Sequence, residues 1–263
     1  MMTARKYIQI IGLVLFWVLI VSLWPIKSSI ANPEPETIKQ ANLEYAAGFY
    51  DHALELYLSV IEAGYVSPEL YYNLGNTYFK LNRIPEAILN YERAMKLDPG
   101  DENTQFNLEL ARARTIDKIE SIPELFYQRW FRLLVNSYHA DGWGTISIVF
   151  LFLSLILAVV FLITVRRWLR IFSFYLAALF LVLSLSTLGL AYVQQQQLTE
   201  KPEAIIFDPS VTVKSSPSDA SIDLFVIHEG TKVLITDQVG EWYEVRIASG
   251  SIGWLKTDVV EKI

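Results

Sequence analysis

Two long apolar segments near the middle of the chain constrain its fold more than any other feature. They run from Gly144 to Val165 and from Ile171 to Tyr192, and neither contains a charged residue. An α-helix needs about 20 apolar residues to cross roughly 30 Å of hydrocarbon, and a backbone in lipid must satisfy its own hydrogen bonds. We therefore expect two transmembrane helices, at 143–165 and 171–193.

The loop between these helices, residues 166–170, contains Arg166, Arg167 and Arg170. Arginine and lysine accumulate in cytoplasmic loops, so we expect this loop to face the cytoplasm. The sequences before and after the helical hairpin would then lie on the same, outer side of the membrane. A mean hydropathy of +0.31 and a hydrophobic content of 52% also favour a membrane protein.

The amino terminus, residues 1–31, has the pattern of a secretory signal peptide. Arg5 and Lys6 precede an apolar stretch, and Ser29 and Ala31 supply the small residues of a cleavage site. The apolar stretch is longer than in most signal peptides, so an uncleaved anchor is the alternative. Both alternatives send the chain from residue 34 onward to the outside.

Residues 34–117 contain an internal repeat with a period of 34 residues. Small, turn and aromatic residues recur in the order of a tetratricopeptide repeat, and a third half-copy ends after Arg114. We expect an all-α repeat domain in which Gly75 and Ala87 lie where paired helices cross. The recurring pairs are Ala41 and Gly75, Gly48 and Asn82, Tyr50 and Ile84, Ala53 and Ala87, Tyr57 and Tyr91, and Val60 and Ala94.

Such repeats bind protein partners along the concave face formed by the first helix of each pair. Lys80 and Arg114 share one repeat position, so together they could hold an acidic group or a chain-terminal carboxylate; alternatively, both are solvated surface charges. By resemblance to such repeats, the expected partner-binding residues are Asn42, Tyr45, Tyr72, Asn76, Phe79, Lys80 and Arg114.

Residues 118–142 predict an amphipathic juxtamembrane segment, in which apolar and aromatic residues alternate with Gln128, Arg129 and Arg132. Such a helix lies either in the membrane interface or against the repeats. Beyond the second apolar segment, residues 194–202 predict a polar linker. Within both apolar segments there is no charged residue, which disfavours transport by this chain alone.

Residues 203–263 show short alternating strands separated by turns, which predicts a small closed β-barrel. Val211 and Val213, the Glu229-Gly230-Thr231 turn, Trp242-Tyr243 and Gly253-Trp254-Leu255 resemble the bacterial SH3-like domain. That resemblance implies binding of cell-wall peptides or proline-rich segments. Trp242 and Tyr243 point to opposite faces of one strand, so one ring faces the core and the other could stack on a ligand. Both are the candidate ligand-binding residues, with structural packing as the alternative for Trp242, and Trp254 is expected to fill the core.

Several functional classes are disfavoured by what the sequence lacks. It contains no cysteine, and its net charge is −6 with no basic stripe for nucleic acid. Its 3 histidines are scattered, without a zinc-binding spacing. We therefore expect a non-enzyme with no metal site, no cofactor and no catalytic residues.

The whole order of segments resembles the E-type member of the bacterial aerotolerance-related Bat proteins. The resemblance includes residues 107–111, 114–119 and 122–126, and the Ala140–Trp143 start of the first apolar segment. It implies a bacterial inner-membrane setting with both soluble modules in the periplasm. It also implies Bat partners with von Willebrand factor A-type domains and a MoxR-type ATPase encoded nearby.

Two functions follow as expectations. The leading one is a membrane-anchored scaffold that binds extracytoplasmic proteins through its repeats and a peptide or wall fragment through its SH3-like domain. Such a scaffold would belong to a Bat-type envelope complex linked to stress or oxygen tolerance. The alternative is a receptor that senses the cell wall, with the SH3-like domain as its primary ligand site.

Overall fold

The computed structural model of the 263-residue chain describes residues 36–119, 125–138, 140–200 and 202–263. The predicted signal peptide or anchor, 1–31, lies outside the described residues. The described chain divides into two compact units. Residues 138–195 form one unit, whereas residues 36–137 together with residues 196–263 form the other.

Five helices form the repeat region, as expected from the 34-residue period: α1 (Glu36–Ala46), α2 (Tyr50–Glu62), α3 (Pro68–Lys80), α4 (Ile84–Leu97) and α5 (Glu102–Arg112). Local signals set their ends. The hydroxyl of Ser67 accepts a hydrogen bond from the Leu70 amide at 3.1 Å, which caps the start of α3. The equivalent positions Gly48 and Asn82 both have positive φ, at 87° and 60°, where the chain turns between paired helices.

Gly75 lies where α3 crosses α4, as the repeat pattern predicts. A Cβ atom placed on Gly75 would lie 2.6 Å from Cδ1 of Tyr91, so the ring of Tyr91 fills the space that only glycine leaves open. Ala87 and Tyr91 are 0% and 1% exposed. The crossing therefore depends on a small residue on one helix and an aromatic residue on the other.

Helix α6 (Phe126–Val135) follows, and then two long helices, α7 (Ala140–Ile163) and α8 (Arg167–Glu200). Both long helices are sufficiently long and apolar to cross a membrane, judged by length and composition. The turn between them is shorter than the predicted loop 166–170, because Arg167 and Arg170 already belong to the first turn of α8. The predicted linker 194–202 is helical as far as Glu200.

Reciprocal hydrogen bonds join α7 and α8. The hydroxyl of Ser147 donates to the carbonyl oxygen of Ser184 at 2.9 Å, and the hydroxyl of Ser184 donates to the carbonyl oxygen of Ser147 at 2.9 Å. Ser154 donates to the carbonyl oxygen of Ala177 at 2.9 Å. Small hydroxyl residues thus let the two helices approach closely while their polar groups stay satisfied.

The carboxyl-terminal region forms an antiparallel sheet with strand order β3-β2-β6-β5-β4-β1-β7. Strands β3 and β7 are its edges, so the sheet is open and the closed barrel expected from the sequence is not confirmed. The strands are β1 (Glu203–Ile206), β2 (Ser210–Lys214), β3 (Asp223–His228), β4 (Lys232–Val239), β5 (Trp242–Arg246), β6 (Ile252–Lys256) and β7 (Val260–Lys262).

Alternation along the strands sets the sheet core, and it corrects one expectation. In β6, Gly253 and Leu255 are buried, whereas Trp254 is only partly buried on the opposite face. A Cβ atom on Gly253 would lie 2.5 Å from Cγ1 of Val213, which explains the glycine next to β2. Leu255, at 1% exposure, therefore fills the core in place of the expected Trp254.

Strand β1 contributes to two hydrophobic cores at once. Ala204 and Ile206 belong to the core of the sheet, whereas Ile205 belongs to the core of the helical repeats. All three residues are 0% exposed. The repeats and the sheet therefore form one continuous body, although 90 residues separate the end of α5 at 112 from the start of β1 at 203.

Candidate functional site

The concave face of the repeats carries a hydrogen-bond network that recurs with the 34-residue period. Oδ1 of Asn42 accepts from the hydroxyl of Tyr57 at 2.6 Å and from Nδ2 of Asn73 at 3.2 Å. One repeat later, Oδ1 of Asn76 accepts from the hydroxyl of Tyr91 at 2.8 Å and from Nδ2 of Asn107 at 2.9 Å. The network joins each first helix to its own second helix and to the next repeat.

Contact of Asn42 and Asn76 with a partner stays a prediction. In the structure, their amide oxygens join neighbouring helices. Tyr57, Tyr91, Asn73 and Asn107 complete this network, although the sequence analysis did not assign them to it. Their spacing could have predicted it, because Tyr57 and Tyr91, like Asn73 and Asn107, are one repeat apart. Burial raises the pKa of Tyr91, which favours the protonated hydroxyl that donates this hydrogen bond.

The aromatic residues expected on this face are half-buried. Tyr45 packs edge-on against Tyr50, with ring centroids 5.2 Å apart, and burial raises the pKa of Tyr45, with smaller contributions from neighbouring tyrosines. Tyr72 lies beside Tyr91 at 6.2 Å and accepts a hydrogen bond from Asn107 at 3.1 Å. These rings form the floor of the face and leave only part of their surface to a ligand.

Phe79, Lys80 and Arg114 lie at the carboxyl-terminal end of this face. The guanidinium of Arg114 lies over the ring of Phe79, 4.1 Å from its centroid. Lys80 is the last residue of α3 and is exposed. Within the described residues neither cation forms an ion pair, so both charges remain available to an acidic group.

In the sheet, the side chains of Trp242 and Tyr243 point to opposite faces of β5, as expected from strand geometry. Tyr243 points into the core and is 8% exposed, whereas Trp242 lies on the other face, with Nζ of Lys256 5.6 Å from its ring centroid. Tyr243 is therefore a packing residue in this structure. Trp242 is the member of the pair that a ligand could reach.

A buried charge cluster joins the repeats to the sheet. Glu92 on α4 is 6% exposed; it pairs with Arg112, and with Lys232 on β4 at 2.9 Å. Lys232 also pairs with Glu203 at 2.8 Å. Burial alone would lower the pKa of Lys232, but the two carboxylates outweigh it and raise this pKa. A buried charge without a partner is strongly destabilising, so this cluster depends on the two modules staying together.

A second polar contact involves Asp117, which follows the last repeat helix. Its Oδ2 accepts from the amide of His228 at 2.7 Å and from the hydroxyl of Thr231 at 2.8 Å, and its Oδ1 lies 2.8 Å from Nδ1 of His228. Burial tends to raise the pKa of Asp117, but the hydrogen bonds from His228 and Thr231 outweigh it. The net pKa is lowered, so this contact favours the ionised carboxylate.

The end of the chain completes the contact between the modules. Arg93 pairs with Glu261 at 2.9 Å and donates to the carbonyl oxygen of Lys262 at 2.8 Å. Lys96 donates to the carbonyl oxygen of Ile263 at 3.3 Å. Helix α4 therefore contacts edge strand β7 through two basic side chains, while Glu261 and Lys262 stay exposed.

A cleft of about 820 Å³ remains between the end of the repeats and the sheet. In α5, Glu109 and Arg112 occupy the repeat positions of Gly75 and Tyr78, which meet the second helix in the complete repeat. The half-repeat lacks this second helix, and sheet residues line the opposite wall. The cleft is lined by Glu109, Arg112, Thr115, Lys118, Ile119, Glu203, Gly230, Lys232, Leu234, Arg246 and Ile247, among others.

Residues 68–101, which contain α3, α4 and the turn between them, match the tetratricopeptide-repeat family. No curated protein shows significant similarity to the chain. Among the described residues, no group of three or more histidine, aspartate and glutamate side chains is placed to hold a metal ion. Tetratricopeptide repeats typically mediate protein–protein interaction without catalysis, so the chain contains a module of the protein-binding class.

Proposed function

We propose that this chain is a non-enzymatic scaffold anchored in a bacterial inner membrane by α7 and α8. The observation that carries the proposal is the compact unit shared by the repeats and the sheet. The repeats precede the two long helices and the sheet follows them. A chain that crosses a bilayer twice returns to its starting side, so two crossings are compatible with this unit and a single crossing is not.

The direction of insertion follows from the positive charges at the turn. Arg166 lies in the turn, and Arg167 and Arg170 lie in the first turn of α8. Positive residues favour the cytoplasmic side, which supports a periplasmic position for the repeats and the sheet. The serine contacts between α7 and α8 support a helix pair that is stable in lipid.

The scaffold binds a protein through the concave face of its repeats. Lys80 and Arg114, which form no ion pair within the described residues, favour an acidic segment or a chain-terminal carboxylate on that partner. In the sheet, which resembles a bacterial SH3-like domain, Trp242 offers an aromatic surface for a peptide or a wall fragment. The resemblance to E-type Bat proteins makes Bat proteins with von Willebrand factor A-type domains the proposed partners, in a complex linked to stress or oxygen tolerance.

Affinity purification of the full chain from crosslinked native membranes tests the scaffold. We expect envelope proteins to co-purify with the wild type. The double variant Lys80→Ala/Arg114→Ala should capture less of them, whereas a control with the same charge change, Lys39→Ala/Arg83→Ala, should capture as much as the wild type. Recovery of no envelope protein with the wild type would contradict the proposal.

The topology can be tested separately, because the chain has no cysteine of its own. Single cysteines replacing Glu102 in α5 or Ser249 beyond β5, both exposed, should react with a membrane-impermeant maleimide in spheroplasts. Protection of either position until the membrane is broken would place that module in the cytoplasm and exclude a shared periplasmic unit.

A wall-sensing receptor is the second candidate, and the outward position of Trp242 favours it. We expect wall peptide fragments to bind the full chain and Trp242→Ala to lose that binding. Phe49→Ala, which removes an exposed aromatic side chain of the repeat region, is the control. The full chain is required, because Ile205 of β1 is buried in the core of the repeats. Equal binding by the wild type and Trp242→Ala would rule out this role for Trp242.

A further inference from the structure

Helix α6 exposes an apolar surface that the rest of the described chain does not cover. Phe126, Trp130 and Leu133 are 85%, 68% and 59% exposed. Soluble surfaces rarely present large aromatic and aliphatic side chains together unless another surface covers them. Only Val135, at 0% exposure, is fully buried in this helix, so most of its apolar surface is open.

Phe126, Trp130 and Leu133 lie on one face of α6, and Tyr127 and Phe131, at 54% and 46% exposure, extend the apolar surface to one side. Positions 126, 130 and 133 are separated by four and three residues, which places them on the same side of an α-helix. Gln128, Arg129 and Arg132 lie on the remaining surface, and the helix contains no acidic residue. An aromatic face opposite a basic face is the pattern of a helix lying in a membrane interface.

The chain itself brings α6 to the bilayer. Four residues, 136–139, separate the end of α6 from the start of α7, and fully extended they reach about 14 Å. If α7 crosses the membrane, α6 lies within that distance of the lipid surface in every molecule. A helix of 10 residues is marginally stable in water on its own, so lipid contact would also stabilise it.

We propose that α6 lies in the outer leaflet of the membrane, with Phe126, Trp130 and Leu133 in the acyl-chain boundary. Arg129 and Arg132 then lie at the level of the lipid phosphates, where their charge is favourable. The proposal rests on the transmembrane assignment of α7 and α8 in the proposed function. It adds a third lipid contact, which holds the repeat–sheet unit at the bilayer surface.

Single-cysteine variants of the full chain test this proposal in nanodiscs of phosphatidylethanolamine and phosphatidylglycerol. A nitroxide is attached at position 130 (Trp130→Cys), at 133 (Leu133→Cys) or at the polar control 128 (Gln128→Cys). Leu155→Cys in α7 is the reference for the span. Frequent collisions of the nitroxide with oxygen indicate that it lies in lipid, because oxygen concentrates there. Frequent collisions with a charged nickel chelate indicate that the nitroxide is exposed to water.

We expect labels at 130 and 133 to collide more with oxygen than with the chelate, and the label at 128 to show the reverse. A lipid signal at 155 with a water signal at 130 and 133 would overturn the interfacial helix and leave the spans intact. A water signal at 155 would contradict the spans themselves. Protection of 130 and 133 from both reagents would mean that protein covers the helix, and this result would also overturn the proposal.

Discussion

At the scale of single residues, Gly230 shows how one position can serve two modules. Its φ of +81° is unfavourable for any residue with a side chain, and it lies in the turn before β4. A Cβ atom there would lie 2.7 Å from Cγ2 of Thr115 and 3.1 Å from Cδ1 of Ile88, both in the repeat region. The turn of the sheet therefore approaches the repeats as closely as a bare backbone allows.

Gly230→Ala should lower the stability of the repeat–sheet unit through both effects. Positive φ costs an alanine about 1–2 kcal/mol, and overpacking adds about 1–3 kcal/mol. Gly240→Ala is the matched control, because Gly240 also has positive φ, at 58°, and a Cβ atom placed there would have no neighbour within 4 Å. Thermal unfolding followed by circular dichroism should show a clearly larger drop in midpoint for Gly230→Ala. Equal drops would show that backbone strain alone matters there.

At the scale of the helices, the Asn–Tyr network makes the repeats dependent on one another. Asn76→Ala removes the acceptor shared by Tyr91 and Asn107, and buried donors left without a partner cost about 1–3 kcal/mol. Asn103→Ala on the exposed surface of α5 is the control. In chemical denaturation we expect a lower midpoint for Asn76→Ala and an unchanged midpoint for Asn103→Ala.

An unchanged midpoint for Asn76→Ala, combined with weaker capture of a partner, would instead support the direct binding role that the sequence predicted. The two roles are therefore separable in one variant. Stability is measured on the purified chain, and partner capture is measured from membranes.

The elements also show what could be predicted from the sequence. Regular spacing identified the repeats, the small residue at 75 and the opposite directions of Trp242 and Tyr243, because each depends on local periodicity. The same alternation places Leu255, not Trp254, in the core. The prediction that Trp254 fills the core was wrong because it relied on the size of the side chain and not on the alternation. The pairing of Glu92 with Lys232 was not predictable, since no local pattern links charges 140 residues apart.

At the scale of the whole molecule, contact between the repeats and the sheet should depend on pH through Asp117. The hydrogen bonds from His228 and Thr231 lower its pKa in the folded state. A lowered carboxyl pKa contributes stability that is present above the unfolded value, near 3.8, and that is lost as pH falls through the folded value. The repeat–sheet contact should therefore weaken in acid below about pH 4.

Asp117→Asn should remove this part of the acid sensitivity and lower stability at neutral pH. Asp208→Asn, an exposed carboxylate near β2, is the control and should keep the wild-type profile. Unfolding midpoints measured from neutral pH into acid provide the test. Parallel profiles for the wild type and Asp117→Asn would show that this carboxylate does not link pH to stability.

Strand β1, which is buried in both cores, also has a consequence for how the protein is made. On the ribosome, the repeats are completed long before residues 203–206 exist, and their second face stays uncovered during that interval. If the proposed topology holds, this face is closed only after both membrane segments have been inserted and the remaining chain has been exported. The repeats then reach their final packing only after insertion has been completed. Molecules whose insertion fails would leave this apolar face of the repeats exposed to periplasmic chaperones and proteases.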